Sequence, residues 1–64
     1  MNSLREHDRV VLLTDVPRDE LRAGSTGTIV HVHDAGAAYE VEFVGRDNRV
    51  VTLENKQVRP LVAR

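Results

Sequence analysis

Residues 27–44 read GTIVHVHDAGAAYEVEFV, and this stretch decides the fold. Two runs rich in β-branched and aromatic residues, 27–33 and 38–44, alternate apolar with polar positions, and the short segment between them contains Gly36. Alternation with a period of two is typical of strands that bury one face, and a short glycine-containing connection is typical of a hairpin. The stretch therefore predicts two antiparallel strands joined by a tight turn.

The register of this hairpin follows from keeping its apolar side chains on one face. Pairing Val30 with Val41 satisfies that condition and places Ile29 and His31 on the outer face. A slip of one residue would turn an apolar set toward water. The inward set then consists of the Val30–Val41 and Val32–Tyr39 pairs together with Phe43.

Three further runs of strand-forming residues flank the hairpin, at 9–14, 49–53 and 57–62. The loop after the first run contains Pro17, which cannot lie in a central strand, and residues 54–57 predict a 3-10 turn before the last run. Strands at this spacing with turns between them indicate a small barrel or sandwich. The run at 49–53 continues the inward face through the pairs Phe43–Val51 and Val41–Leu53.

Length and composition limit the classes of protein to which the chain can belong. With 64 residues the chain forms one domain with a single core. Nine basic and ten acidic residues leave a formal charge of −1, which argues against a dedicated nucleic-acid-binding protein. Cysteine is absent, the charged residues within 1–9 are unlike a secretory signal, and the longest apolar run, Val10–Leu13, is far too short to span a membrane. We expect a cytoplasmic protein with no membrane partner.

Several segments spread over residues 8–62 carry a resemblance to a known family. These segments are Val10–Leu13, Asp15–Pro17, Leu21, Gly24, Gly27–Val30 and Tyr39–Phe43. They are similar to a family of short bacterial proteins catalogued as a domain of unknown function, and more broadly to KOW-type SH3-like domains. The resemblance implies an all-β, five-stranded SH3-like barrel over residues 8–62, which leaves 1–7 as a flexible N-terminus and 63–64 as a tail. It also implies a small partner of another protein, of an antitoxin or immunity type, but supplies no functional residues.

The histidines offer the nearest approach to a metal site. His31 and His33 lie two residues apart on a strand and project from the same face, with Glu40 predicted opposite. Two imidazoles and a carboxylate suit zinc, yet no further ligand follows at a fixed spacing, and a solvated face with one His–Glu pair explains the same residues. Ser25 lies in a glycine-rich turn with no histidine near it in sequence, whereas nucleophilic catalysis needs such a base. We therefore expect no metal, no cofactor and no enzymatic activity.

A binding function is the remaining interpretation. The outer face carries Ile29, Val44 and Val50, and an apolar patch on so small a domain favours a protein partner or a homodimer. The long loop after the first strand adds Arg18 and Arg22 as candidate contact residues. We expect a non-enzymatic protein-interaction module. The alternative is a KOW-like module that binds RNA or DNA, without stacking aromatics, through Arg46, Arg49, Lys56, Arg59 and Arg64.

Overall fold

The computed structural model describes residues 4–45 and 49–61, which form β-strands and short 3-10 turns. The strands are β1 (Arg9–Leu12), β2 (Thr26–His33), β3 (Ala38–Phe43), β4 (Arg49–Glu54) and β5 (Val58–Pro60). The 3-10 turns are Pro17–Asp19, Asp34–Gly36 and Asn55–Gln57. The predicted all-β fold and the predicted 3-10 turn before the last strand are confirmed. These described elements include no helix with the length and apolarity that crossing a membrane requires.

The five strands form one antiparallel sheet in the order β4-β3-β2-β1-β5. β1 therefore lies between β2 and β5 and pairs with both. β4 and β5 are the two edges, and within the described residues no ladder joins them, so the sheet is open.

One face of the sheet carries the hydrophobic core. Along β3 the burial alternates without interruption, because Tyr39, Val41 and Phe43 are buried and the residues between them are only partly covered. The predicted inward face of this strand is confirmed. The complete set of buried residues is Val10, Leu12, Ile29, Tyr39, Val41, Phe43, Val51, Leu53 and Val58.

β2 contains a β-bulge that breaks its alternation. Ile29 pairs with Val41 and the next ladder position is His31, so Val30 is an extra residue between them. Ile29 is 0% exposed, whereas Val30 is 38% exposed. The predicted Val30–Val41 pair and the predicted outward position of Ile29 are therefore wrong. A bulge changes the alternation by one residue, and beyond it the predicted register of β2 with β3 is confirmed.

The β3–β4 hairpin is shifted by two residues from its predicted register. Val41 lies opposite Val51 instead of Leu53, and Phe43 lies opposite Arg49 instead of Val51. Both predicted pairs are wrong. A shift of two residues nevertheless leaves every side chain on the same face. Val51 and Leu53 of β4 are buried as expected. Alternation fixes the face of a strand, but the connection between strands decides among registers that differ by two.

The segment before β1 is joined to β2. The His7 N–H donates to the Ile29 carbonyl oxygen at 2.7 Å, and the Ile29 N–H donates to the Asp8 carbonyl oxygen at 2.9 Å. Leu4 packs against the core, and His7 has a φ of +78°, a strained value that these surrounding contacts maintain. Defined contacts thus begin before residue 8, the predicted start of the domain. The predicted tail at 63–64 lies outside the described residues.

Candidate interaction surface

The loop between β1 and β2 is shaped by its own hydrogen bonds. The Val16 N–H donates to the Leu21 carbonyl oxygen at 2.9 Å, and the Leu21 N–H donates to the Val16 carbonyl oxygen at 3.1 Å. Between them Pro17 begins a 3-10 turn, where its fixed φ suits the first position. The Asp15 carboxylate accepts the Ala23 N–H at 2.9 Å. These hydrogen bonds therefore define the path of the loop backbone.

A groove of about 130 Å³ lies between this loop and the end of β3. The Arg49 guanidinium, at the start of β4, donates to the Asp19 carbonyl oxygen at 2.6 Å and ties the loop to the sheet. Leu21, Phe43 and Val44 supply the apolar part of the lining. We call this the first-loop groove, and its lining residues are Asp19, Glu20, Leu21, Phe43, Val44, Gly45 and Arg49.

Of the residues predicted for the interaction surface, Val44 lines this groove, and three others lie next to lining residues in the sequence. Val44 lines the groove and is 77% exposed, and Val50, which follows Arg49 on β4, is 50% exposed. Arg18 and Arg22 are exposed on the loop, one on each side of the residues that line the groove. Exposed apolar and basic side chains therefore flank the groove residues along the chain.

Ile29, the remaining predicted residue, does not belong to this surface. The bulge turns its side chain into the core, where it pairs across the ladder with Val41. An acidic substitution of Ile29 would therefore test the core and would say nothing about an interface.

A second groove, of about 340 Å³, lies at the start of β3 and was not predicted. Asn55 joins one wall of this groove to the turn before β3. Its side-chain amide donates to the Gly36 carbonyl oxygen at 3.0 Å, and its backbone N–H donates to the Ala37 carbonyl oxygen at 3.1 Å. The walls come from segments far apart in sequence, so the only local signal was Gly36, whose φ is +106°. We call it the end groove, and its lining residues are Leu4, Val32, Ala35, Gly36, Tyr39, Asn55, Val58, Arg59 and Pro60.

The two histidines form pairs with glutamates on the outer face. His31 lies opposite Glu40 in the ladder as predicted, but the Glu40 carboxylate contacts His33, with 3.0 Å between Nε2 and Oε2. His31 has its Nδ1 3.8 Å from the Glu6 carboxylate, and the two imidazole rings meet edge to face at 4.6 Å. Within residues 4–45 and 49–61 no group of three or more histidine, cysteine, aspartate or glutamate residues is arranged to hold a metal ion.

Of the basic residues considered for nucleic acid, the three that the structure describes do not form one cluster. Arg49 is at the start of β4, and Lys56 follows the end of that strand, where it lies 3.6 Å from the Glu54 carboxylate. Arg59 is on β5, at the other edge of the sheet. Arg46 and Arg64 lie outside the described residues.

These features describe a small antiparallel β-domain with shallow surface grooves and a hydrogen-bonded first loop. The chain belongs to the family described as Domain of unknown function (DUF4926), whose model matches residues 6–60. The match confirms the predicted resemblance to a domain of unknown function. No curated protein and no solved structure matches the chain.

Proposed function

We propose that the chain is a non-enzymatic protein-interaction module whose interface is centred on Val44 and Val50. One observation carries the proposal: these are the two most exposed large apolar side chains of the described residues, at 77% and 50%. Val50 lies opposite Glu42 on the outer face, and Val44 directly follows Phe43, the last residue of β3. Neighbouring exposed apolar side chains favour a contact that removes them from water.

The first-loop groove extends this apolar pair into a larger contact surface. Leu21 and Phe43 line the groove together with Val44, while Asp19, Glu20 and Arg49 supply its charged side chains. An apolar centre with a charged rim is the usual anatomy of a protein interface. Because Arg49 holds the loop by its hydrogen bond to Asp19, little order has to be gained on binding.

The proposed architecture is an SH3-like barrel. Two features of β2 support it: the strand pairs with β1 through Thr26–Thr28 and with β3 through Thr28–His33, and the bulge at Val30 interrupts the second of these ladders. A bulge increases the local twist and lets one strand take part in two halves of a curled sheet. The 3-10 turn before β5 and the pairing of β5 with β1 agree with the same arrangement.

The partner is a protein, and the resemblance of the sequence favours a role of the antitoxin or immunity type. A second copy of the chain is the simplest alternative partner, because the same valines would then meet across a two-fold axis. Catalysis is disfavoured because His31 and His33 lie on the outer face of the sheet, whereas catalytic acids and bases are usually enclosed in a cleft.

The test replaces both valines by an isosteric polar residue. In Val44→Thr/Val50→Thr one methyl group of each valine becomes a hydroxyl that has no partner in the complex, and we expect at least about tenfold weaker partner binding. The matched control is Val30→Thr, the same change at an exposed valine that lies on β2 and outside the proposed interface. Partner capture from the native cell is measured by quantitative mass spectrometry, and self-association by sedimentation. Capture and sedimentation that are both identical for the double variant and the wild type would exclude this interface.

A KOW-like nucleic-acid-binding function is the second candidate, favoured by the exposure of Arg18 and Arg22 on the ordered loop. Phosphate contacts would make such binding strongly dependent on salt. Titration with mixed single- and double-stranded oligonucleotides at low salt separates the two functions. Oligonucleotide binding that is lost in Arg18→Gln/Arg22→Gln but retained in Val44→Thr/Val50→Thr would favour the nucleic-acid-binding function. If no oligonucleotide binds at low salt, that function is excluded.

A further inference from the structure

β1 and β5 form a second surface on the outer side of the sheet. In the strand order they lie at the opposite end from β4, which carries Val50, and from β3, which Val44 follows. Val11 lies opposite Arg59, and the Leu61 N–H donates to the Arg9 carbonyl oxygen at 2.9 Å. These residues alternate along their strands with the buried Val10, Leu12 and Val58, and therefore project outward. We call this surface the β1–β5 face, and its members are Arg9, Val11, Leu13, Arg59 and Leu61.

The β1–β5 face is apolar and basic. Leu13 is 45% exposed and Leu61 is 40% exposed, and Val11 lies partly buried between them in the ladder. The two arginines are exposed and lie next to these apolar side chains across the ladder. Arginine is enriched at protein interfaces, and exposed apolar side chains favour a contact that removes them from water.

The outer side of the sheet is divided by charge. No carboxylate projects from the β1–β5 face, and the adjoining outward positions of β2 are Thr26 and Thr28. Asp8, which precedes the face, uses its carboxylate to accept the Arg5 N–H at 2.9 Å. By contrast the outward positions of β3 and β4 carry Glu40, Glu42 and Glu54. In a chain with a formal charge of −1, this division directs an acidic partner to one half of the sheet and away from the other.

The edge of β5 discourages a partner from adding a strand there. Arg59 is paired with Val11, and the N–H of Leu61 points toward β1. Pro60, between them, therefore directs its nitrogen to the free edge, where it has no hydrogen to donate. Proline on an edge strand blunts pairing with another chain. A partner is consequently expected to lie across the face.

We propose that the β1–β5 face binds an acidic segment of a partner protein. Apolar side chains of the segment pack on Val11, Leu13 and Leu61, and its carboxylates pair with Arg9 and Arg59. Side chains two residues apart in an extended segment have the same spacing as those of β1, so an extended segment can match both kinds of contact. This binding is independent of the surface centred on Val44 and Val50.

The probe is a short capped peptide in which every second residue is alternately glutamate or leucine, with serine between them. Titration into the ¹⁵N-labelled protein should shift the amide signals of the β1–β5 face and leave those around Val44 and Val50 in place. Arg9→Glu/Arg59→Glu should weaken binding at least about tenfold, because each attraction becomes a repulsion. Raising the ionic strength from about 0.01 M to about 1 M should also weaken binding, since the Debye length falls from about 30 Å to about 3 Å.

The controls separate this proposal from the others. Arg18→Glu removes a cation from outside the face and should leave peptide binding unchanged, as should Val44→Thr/Val50→Thr. A peptide with lysine in place of glutamate should not bind. The proposal is overturned if the acidic peptide fails to bind, if its affinity is the same for the arginine double variant, or if an oligonucleotide binds this face more tightly than the peptide.

Discussion

Gly27, near the start of β2, is a position where a single methyl group should destabilise the domain. A Cβ atom built at this residue would lie 2.7 Å from Val41 Cγ1, 2.8 Å from the Glu42 carbonyl oxygen and 3.1 Å from Phe43 Cδ1. The first and third atoms belong to buried side chains, and the second belongs to the backbone of β3, which is paired with β2. None of the three is the end of a flexible surface side chain. The substitution Gly27→Ala therefore forces the two strands apart.

The expected cost follows from these distances. Overpacking of a core typically costs about 1–3 kcal/mol, and because two contacts fall below 3.0 Å we place Gly27→Ala at about 2–3 kcal/mol. A domain of 64 residues has a free energy of unfolding of roughly 3–10 kcal/mol. A loss of this size should lower the Tm by roughly 10–20 °C. The variant should be largely unfolded at 25 °C only if the stability of the wild type lies near the bottom of that range.

The assay is urea unfolding followed by far-ultraviolet circular dichroism, with two matched glycine controls. Gly45→Ala places a Cβ with nothing within 4 Å and should change stability by less than about 0.5 kcal/mol. Gly24→Ala also meets nothing within 4 Å but has a φ of +96°, so backbone strain alone should cost about 1–2 kcal/mol. If Gly27→Ala is as stable as Gly45→Ala, the close approach of β2 and β3 that we describe is refuted.

Two further stability predictions use the same unfolding assay. Ile29→Ala should cost about 2–5 kcal/mol because Ile29 is fully buried. Val30→Ala, one residue further along the bulged strand, should cost less than about 1 kcal/mol, and the reverse order would contradict the bulge. Asp15→Ala should cost about 1 kcal/mol because the Ala23 N–H loses its acceptor, while Asp15→Asn, which keeps a side-chain oxygen, should recover most of that loss. Equal stabilities of the two Asp15 variants would show that this hydrogen bond does not close the loop.

The interaction surface was only partly predictable from sequence. Val44 and Val50 were correctly placed on the outside because alternation along β3 and β4 is regular. Ile29 was misplaced because a bulge inserts one residue without any local mark in the sequence. The end groove escaped prediction because its lining joins Leu4, the turn before β3 and the residues around β5.

Local sequence was sufficient to predict the five strands, the buried face of β3 and the 3-10 turn before the last strand, but not the 3-10 turns at Pro17–Asp19 and Asp34–Gly36. It was sufficient for the former because side-chain alternation and turn chemistry act over a few neighbouring residues. Only the tertiary structure decided the register of β4, the bulge in β2 and the division of the outer side into a basic and an acidic half. Those features depend on which strands become neighbours, and burial of one shared core selects that pairing from contacts between residues distant in sequence.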